Sequence, residues 1–209
     1  MTTYPSGLND THAQQNVVLV LVAEDTGDND GTNPCYHYQY KTATSGRSYP
    51  SFIFQQKRCL NNEGKMDSNA TDSGIRGWNV APRRTWCNNQ YKDAFPSTLL
   101  PAIKQVNVKS WNYNNVEQTS EDYFFLSTEK EMQGSTTYAV PTEASVLTQW
   151  SYYTISSNRI KQANGIDTTW WLRSPLSSNS ACFCSVYLDG IAYANTSYDD
   201  HGIAVCGCI

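Results

Sequence analysis

Trp170-Trp171-Leu172-Arg173-Ser174-Pro175 is the point at which the predicted secondary structure of the chain changes. Helical patterns are present before residue 165, whereas the residues after it predict only strands, turns and loops. The segment 176–209 contains no Lys, Arg, Glu, Gln, Met, Trp or Pro. The end of the chain is therefore predicted to be a β-rich segment with a polar surface that carries little charge.

The chain before this motif predicts strands first and short helices second. Strands are predicted over 16–24, 36–40, 51–54 and 122–126, where β-branched and aromatic residues dominate. Helices are predicted from Pro82, over 101–108, over 128–133 between a Ser127 cap and a Gly134 stop, and from Pro141 with Val146, Leu147, Trp150 and Tyr153 facing the core. This order predicts an α+β fold in a single domain over 1–209, with 1–15 as a flexible leader.

Composition excludes several classes of protein. The 209 residues carry a net charge of −4, and 16% of them are charged while 12% are aromatic. A basic nucleic-acid-binding protein and a disordered acidic chain are both inconsistent with these values. The only long apolar run, residues 17–23, is too short to span a membrane and has the composition of a buried strand. We therefore expect neither nucleic-acid binding nor membrane insertion.

The composition of 176–209 also agrees with a codon argument. Changing only the two adenines of an Asn codon that ends in a pyrimidine can never produce Lys, Glu, Gln, Trp or Met. The stretch Ser197-Tyr198-Asp199-Asp200-His201 consists entirely of one-step products of such a codon, and Asn179 and Asn195 are candidates for unaltered positions. The alternative explanation is a polar loop that simply lacks long side chains.

Several motifs resemble those of a bacterial and phage domain family with a C-type-lectin-type fold. The matching residues are Gly77-Trp78, Arg84, Trp86-Cys87-Asn88, Asp122-Tyr123-Phe124-Phe125-Leu126-Ser127, Glu129, Glu131, Trp171-Leu172-Arg173-Ser174-Pro175, Asn179-Ser180, Phe183-Cys184-Ser185-Val186, Asp189-Gly190, Gly202-Ile203-Ala204 and Cys208-Ile209. Val205-Cys206-Gly207 departs from this pattern, because the family usually has a bulkier Phe near Cys208.

This resemblance implies a C-type-lectin-like fold, similar to that of formylglycine-generating enzymes. Short helices would pack on small antiparallel sheets, followed by a long irregular C-terminal segment. Members of this group are often the variable proteins of diversity-generating retroelements, whose C-terminal codons are rewritten by adenine-directed mutagenesis. The resemblance therefore implies a hypervariable recognition surface within 176–209, displayed on a virion or a bacterial cell and directed at a protein or glycan on a host or neighbouring cell.

The expected ligand-binding residues combine the codon argument with the family pattern. They are Ser180, Ala181, Cys182, Ser185, Tyr187, Leu188, Ile191, Tyr193, Asn195, Ser197, Tyr198, Asp199, Asp200 and His201. Tyr187, Tyr193 and Tyr198 are the expected anchors, since Tyr supplies rigid amphipathic contact area. Asp199, Asp200 and His201 are expected to add polar and pH-sensitive contacts.

Asp189-Gly190 predicts a hairpin that brings residues 186–188 beside 191–193. Strict alternation would place Val186 and Leu188 on one face, although the first is expected in the core and the second at the surface. A bulge or an irregular loop is therefore predicted between them.

Metal sites are alternatives that the sequence raises but supports weakly. Cys182-Phe183-Cys184 and Cys206-Gly207-Cys208 offer four thiols, yet structural zinc sites usually separate paired ligands by two or more residues. A disulfide between the terminal strands is also open. The loop containing Asp28 and Asp30 lacks the first and twelfth ligands of a calcium loop. We expect no metal and no cofactor.

An enzyme is the remaining alternative. His12, His37 and His201 lie near no recognisable nucleophile motif, so a relative of the formylglycine-generating oxidases is disfavoured and a non-enzymatic protein is expected. A carbohydrate-binding lectin without diversification is a further alternative.

Arg173 is expected to be a structural ion pair or a clamp on carbonyl groups. Trp78, Trp86, Trp170 and Trp171 are expected in the core. The oligomeric state stays open.

Overall fold

The computed structural model describes residues 19–24, 52–67 and 77–209, with side chains for all of these except 19–24 and 61–63. The described residues form small, mainly antiparallel sheets and short helices, so the predicted α+β class is confirmed. Predictions about 1–15, His12, Asp28, Asp30, Cys35, His37 and the strand at 36–40 concern residues outside the described ranges.

Thirteen strands are formed by the described residues. They are β1 Leu19–Glu24, β2 Phe52–Gln56, β3 Leu60–Gly64, β4 Val106–Trp111, β5 Glu117–Asp122, β6 Phe124–Phe125, β7 Lys161–Ala163, β8 Ile166–Thr168, β9 Trp170–Pro175, β10 Cys182–Val186, β11 Ala192–Thr196, β12 His201–Ile203 and β13 Cys206–Cys208. The predicted strands within 16–24 and 51–54 are therefore confirmed.

The helices are short. They are α1 Pro82–Trp86, a π-helical turn Cys87–Tyr91, α2 Lys92–Ala94, α3 Glu129–Gln133, α4 Pro141–Val146, and 3₁₀ turns at Trp78–Val80, Leu100–Ala102, Ser151–Thr154 and Ser156–Arg159. Pro82 and Pro141 occupy the first helical positions of α1 and α4, where the missing N–H of Pro costs no helical hydrogen bond. Both predicted helix starts are confirmed.

Two of the sheets are larger than the others. One has the order β1-β2-β13-β6 and the other has the order β11-β10-β9-β12-β3. All residues of β9 and of β10 are buried, because these two strands lie in the middle of the second sheet and are covered on both faces. The strand β11 lies at an edge and is only partly covered. The sheet order therefore brings part of the C-terminal segment to the surface.

The predicted helix over 101–108 is wrong. Only a 3₁₀ turn forms at Leu100–Ala102, and β4 begins at Val106. Ile103 and Val106 are buried as expected, but the alternating burial of β4 has the period of a strand. Val106 pairs with Asp122 in an unbroken antiparallel ladder with β5. Pairing with a neighbouring strand outweighs the weak helical pattern here.

The helix α3 begins one residue later than predicted. Its cap is Thr128 and not Ser127: the Thr128 hydroxyl accepts a hydrogen bond from the Glu131 N–H, and the Glu131 carboxylate accepts one from the Thr128 N–H. These two reciprocal bonds form a capping box. Gly134 follows the helix with φ 77°, as the predicted stop requires.

The motif residues upstream of α3 bind one another around Asp122. Its carboxylate accepts hydrogen bonds from Trp78 Nε1 at 2.9 Å, Arg84 Nε at 2.7 Å and Asn88 Nδ2 at 3.1 Å. Asn88 Nδ2 also donates to the carbonyl of Phe124 at 2.9 Å. Asp122 thus joins the first helices to β5 and β6, and the motif has a structural role.

Arg173 is a buried ion pair and a clamp on carbonyl groups, as predicted. Its guanidinium contacts the Glu131 carboxylate at 2.8 and 2.9 Å, and it donates to the carbonyls of Lys109 and Leu126. The predicted core tryptophans Trp78, Trp86, Trp170 and Trp171 are all buried. The conspicuous motif at 170–175 therefore holds the scaffold together.

Candidate functional site

The C-terminal hairpin positions the candidate site. In the ladder between β10 and β11, Cys182 pairs with Thr196, Ser185 with Tyr193 and Val186 with Ala192, without a register shift. The turn between the strands covers residues 187–191 and is closed by a hydrogen bond from the Tyr187 N–H to the Ile191 carbonyl at 2.8 Å. The predicted hairpin is confirmed, although its turn is longer than two residues.

The hairpin turn also explains the positions of Val186 and Leu188. Val186 is the last residue of β10 and is buried, whereas Leu188 lies in the turn and is exposed. The strand ends between them, so their alternation need not continue. The predicted irregular loop is therefore present, and no bulge is needed between β10 and β11.

Backbone conformation and close packing hold this turn in place. Gly190 has φ +83°, and a Cβ at this position would lie 3.1 Å from the Ser156 carbonyl oxygen and 3.3 Å from Ile160 Cγ1. Gln133 Nε2 donates to the Gly190 carbonyl at 3.0 Å, and Gln133 Oε1 accepts from Arg159 at 2.5 Å. The turn is thus joined to α3 and to the 3₁₀ turn at Ser156–Arg159.

Aromatic and aliphatic side chains cover the hairpin and its turn. We call Tyr138, Tyr187, Leu188, Ile191 and Tyr193 the tyrosine surface. Tyr187 is 45% exposed, Tyr193 48% and Ile191 63%. The ring of Tyr193 lies 5.8 Å from that of Tyr187 and 6.1 Å from that of Tyr138, centroid to centroid. Such spacings allow the rings to stabilise one another, so the surface is apolar and preorganised.

A second loop follows the other end of β11. Tyr198 is half exposed in this loop. Asp199 accepts hydrogen bonds from the Thr196 N–H at 3.1 Å and the Thr196 hydroxyl at 2.6 Å, so its carboxylate closes the turn. The Ser197 N–H donates to the Ala181 carbonyl at 2.8 Å. The loop is therefore ordered by its own side chains.

The expected ligand-binding residues differ in exposure. Tyr187, Leu188, Ile191, Tyr193, Tyr198 and Asp200 are exposed; Ser180, Ala181, Asn195, Asp199 and His201 are partly buried; Cys182, Ser185 and Ser197 are buried. Ser185 donates to Asn195 Oδ1 at 2.7 Å inside the sheet. Burial prevents the last three from touching a ligand at the surface, and we leave them out of the proposed binding surface.

His201 packs against the core. Its ring lies 4.7 Å from the Trp171 ring, centroid to centroid, and its Nε2 atom is buried without a hydrogen-bond partner. Burial lowers the pKa of His201 below its ordinary 6.5, although Asp199 and Asp200 act in the opposite direction. The imidazole is therefore neutral at neutral pH, and its expected role as a titrating contact is limited to acidic conditions.

The cysteines of the described chain are all buried. They are Cys59, Cys87, Cys182, Cys184, Cys206 and Cys208. The two Cys-x-Cys pairs lie in different sheets, and the described ranges contain no group of three or more His, Cys, Asp or Glu that could hold a metal ion. Burial raises the pKa of Cys59 and of Cys87 to about 12, so these thiols are protonated and weakly nucleophilic.

Sequence reasoning missed the residues that support the surface from outside the tail. Tyr138 extends the tyrosine surface, while Gln133 and Arg159 hold the turn. These residues belong to segments with no codon signal, and only the fold brings them to the hairpin. The sequence of α3, which ends beside the turn, contains no pattern that predicts this contact.

A family model described as DUF6273, a domain of unknown function, matches residues 52–209. Neither the curated proteins nor the solved structures contain a match to the chain. Within the described ranges, the helices are all too short or too polar to cross a membrane.

Proposed function

Since the chain belongs to the DUF6273 family, whose function is unknown, we propose a function from the geometry of its C-terminal segment. The protein is a non-enzymatic ligand-binding protein. It recognises a protein or glycan target with the tyrosine surface, supplemented by Tyr198 and Asp200 in the following loop.

One observation carries this proposal: a completely buried strand and a partly exposed, tyrosine-bearing strand are paired within one hairpin. Every residue of β10 is buried, whereas Tyr193 of β11 and the adjoining turn residues Tyr187, Leu188 and Ile191 are exposed. A scaffold of this kind holds its contact residues rigidly and lets them change, because exposed substitutions usually cost within about 0.5 kcal/mol.

The chemistry of the tyrosine surface suits recognition. Tyr buries a large area at a low cost in conformational entropy, and it carries both an apolar ring and a hydroxyl. Clusters of such residues near the centre of a contact carry most of the binding energy in protein interfaces. Exposed Leu188 and Ile191 add apolar area that a monomeric protein surface rarely groups together without a use.

The scaffold is proposed to be a C-type-lectin-like fold, and the protein to be a variable protein of a diversity-generating retroelement. The motif resemblance and the restricted composition of 176–209 support this. The positions that are both exposed and compatible with adenine-directed change include Tyr187, Ile191, Tyr193, Tyr198 and Asp200. Such a protein would be displayed on a virion or a bacterial cell surface.

Genomic sequencing around the gene tests the diversification. We expect a reverse transcriptase gene and a near-copy of the segment that encodes 176–209, differing from it mainly at adenines. Sibling sequences should vary at the exposed positions of the hairpin and keep β10 constant. Variation spread evenly along the chain, with no reverse transcriptase nearby, would refute this part of the proposal.

Binding itself is tested with a double variant, Tyr187→Ser and Tyr193→Ser. Labelled protein is applied to a panel of bacterial strains and measured by flow cytometry. We expect wild-type binding to at least one strain and at least a tenfold loss for the double variant, with little change in melting temperature. The matched control is Tyr113→Ser, a partly buried tyrosine between β4 and β5. Equal binding by wild type and double variant would overturn the proposal.

A further inference from the structure

A cleft lies beside the hairpin turn, and none of its lining residues belongs to the C-terminal segment 176–209. Its volume is about 450 Å³, and its lining residues are Lys57, Arg58, Tyr152, Ser157, Asn158, Ile160, Gln162 and Asp167. The volume falls within the range of small-molecule sites. Most of these side chains are polar, so the cleft suits a hydrophilic ligand.

The charges of the cleft favour an anion. Lys57 and Arg58 are exposed, and neither has an ion-pair partner among the described residues. The one carboxylate in the lining, Asp167, already accepts a hydrogen bond from Gln162 Nε2 at 3.0 Å. Because the lining holds two cationic side chains and only one carboxylate, its net charge is positive, and the Arg58 guanidinium can bind a carboxylate with two parallel hydrogen bonds.

The remaining polar groups favour hydroxyls. Asn158 Nδ2 donates to the Tyr152 carbonyl at 2.7 Å, and Gln162 Nε2 is used by Asp167. Both amides thus keep their side-chain oxygens as acceptors, and the Ser157 hydroxyl can donate or accept. Several neutral donors and acceptors close together match a ligand with several hydroxyl groups.

An aromatic ring completes the lining. Tyr152 is partly buried, and its ring meets that of Tyr153 edge-on, at 5.0 Å between centroids and an interplanar angle of 85°. This contact fixes the ring in one orientation. A fixed aromatic ring beside hydroxyl-binding groups can pack against the C–H face of a sugar ring.

The backbone of the cleft is held by buried hydrogen bonds. The Cys59 N–H donates to the Gln162 carbonyl at 3.0 Å, and the buried Lys161 Nζ donates to the Gln56 carbonyl at 2.6 Å. These bonds join the loop after β2 to the ribbon β7–β8. Binding therefore requires little ordering of the protein, which lowers its cost.

We propose that this cleft binds an acidic monosaccharide, with its carboxylate on Arg58 and Lys57 and its hydroxyls on Ser157, Asn158 and Gln162. The site is separate from the tyrosine surface and does not depend on the function proposed for it. Ile160 contributes to the cleft and lies beside Gly190 of the hairpin turn. A bound sugar would therefore lie next to the turn that carries part of the tyrosine surface.

Titration of the full chain with glucuronate, glucose and inorganic phosphate, followed by NMR or calorimetry, tests the proposal. We expect glucuronate to bind with a dissociation constant on the order of 1 mM, and glucose and phosphate to bind at least tenfold more weakly. Arg58→Ala with Lys57→Ala should weaken glucuronate binding by about tenfold or more, whereas Lys65→Ala, which removes an exposed lysine outside the lining, should not.

Each of the other outcomes overturns the proposal. If phosphate bound as tightly as glucuronate, the cleft would be a simple anion site. If glucose bound as tightly as glucuronate, Lys57 and Arg58 would not contribute to binding. An equal effect of Lys65→Ala would show unspecific charge attraction. The double variant Tyr187→Ser and Tyr193→Ser should leave glucuronate binding unchanged, so this site and the tyrosine surface can fail independently.

Discussion

Glu131 and Arg173 form a two-pronged ion pair in the interior, with N–O distances of 2.8 and 2.9 Å and side chains that are 1% and 0% exposed. The pair connects α3 to the central strand β9. The Glu131 carboxylate also caps α3 through the Thr128 N–H. One carboxylate therefore determines both where the helix begins and how it docks on the sheet.

Removing the cation of this pair should be costly. Arg173→Met leaves Glu131 buried without its partner, and we expect the free energy of unfolding to fall by about 3–5 kcal/mol. Urea denaturation measures the loss. Glu117→Gln is the control, because it breaks an exposed pair with Lys109 and should cost less than about 1 kcal/mol. Similar losses for the two variants would contradict the structural role of Arg173.

Glu143 should make stability fall as the pH rises. Burial raises the pKa of Glu143 from 4.5 to about 7, and its Oε2 atom is buried without a partner. The folded form keeps its proton up to that pH, while the unfolded form loses it above about 4.5. The contribution of Glu143 is thus fully present below pH 4.5 and is lost between pH 4.5 and 7.

The variant Glu143→Gln removes this titration. The difference in unfolding free energy, variant minus wild type, should rise by roughly 3 kcal/mol from pH 4.5 to pH 7, since each pKa unit corresponds to about 1.4 kcal/mol. Denaturant melts at intervals of half a pH unit provide the curve. A flat difference would show that the pKa of Glu143 is the same in the folded and the unfolded protein.

A comparison of Gly190 in the hairpin turn with Gly165 between β7 and β8 distinguishes the cost of backbone strain from the cost of steric crowding. Gly190 and Gly165 have φ of +83° and +80°, but only Gly190 has neighbours where a Cβ would lie. Gly165→Ala should cost about 1–2 kcal/mol from conformation alone. Gly190→Ala should cost more and should also weaken target binding, because the turn must move away from Ser156. Equal thermal stability of the two variants would refute this packing.

Adjacent aspartates in the second loop should behave differently. Asp199→Ala loses two hydrogen bonds to Thr196 and should lower the unfolding free energy by about 1–2 kcal/mol. Asp200→Ala changes an exposed side chain and should stay within about 0.5 kcal/mol. The comparison is made by thermal melting at neutral pH. A larger loss for Asp200 would mean that the loop is held in another way.

Sequence patterns predicted the elements with strong local signals. Pro82 and Pro141 predicted helix starts, and Asp189-Gly190 predicted the hairpin that carries the tyrosine surface. The prediction of a helix over 101–108 was wrong. The amphipathic pattern there is weak, and residues 106–111 instead pair with the strand at 117–122. Local propensity gives no information about pairing between segments that are separate in sequence. A cap one residue away from Ser127 is within the usual ambiguity of helix ends.

The candidate site was predictable only in part. Codon composition and family pattern pointed to residues 176–209, part of which is exposed in the fold, but the exposure of each residue depends on its neighbours in the sheet. Ser185 and Tyr193 are opposite each other in the ladder, yet one is buried and the other is half exposed. The contribution of Tyr138 and the cleft near Arg58 arise from contacts between segments distant in sequence.

The pairing of a buried β10 with a partly exposed β11 also limits how the gene can change. If mutation affected both strands equally, many of the resulting variants would not fold, because substitutions in β10 replace core residues such as Phe183 and Val186. A mutator that spares the codons of β10 and changes those of the turn and β11 would keep most progeny folded. Under the proposed diversification, the ladder therefore predicts a pattern in the near-copy that serves as template: adenines concentrated in the codons of the exposed positions and rare in those of the buried strand.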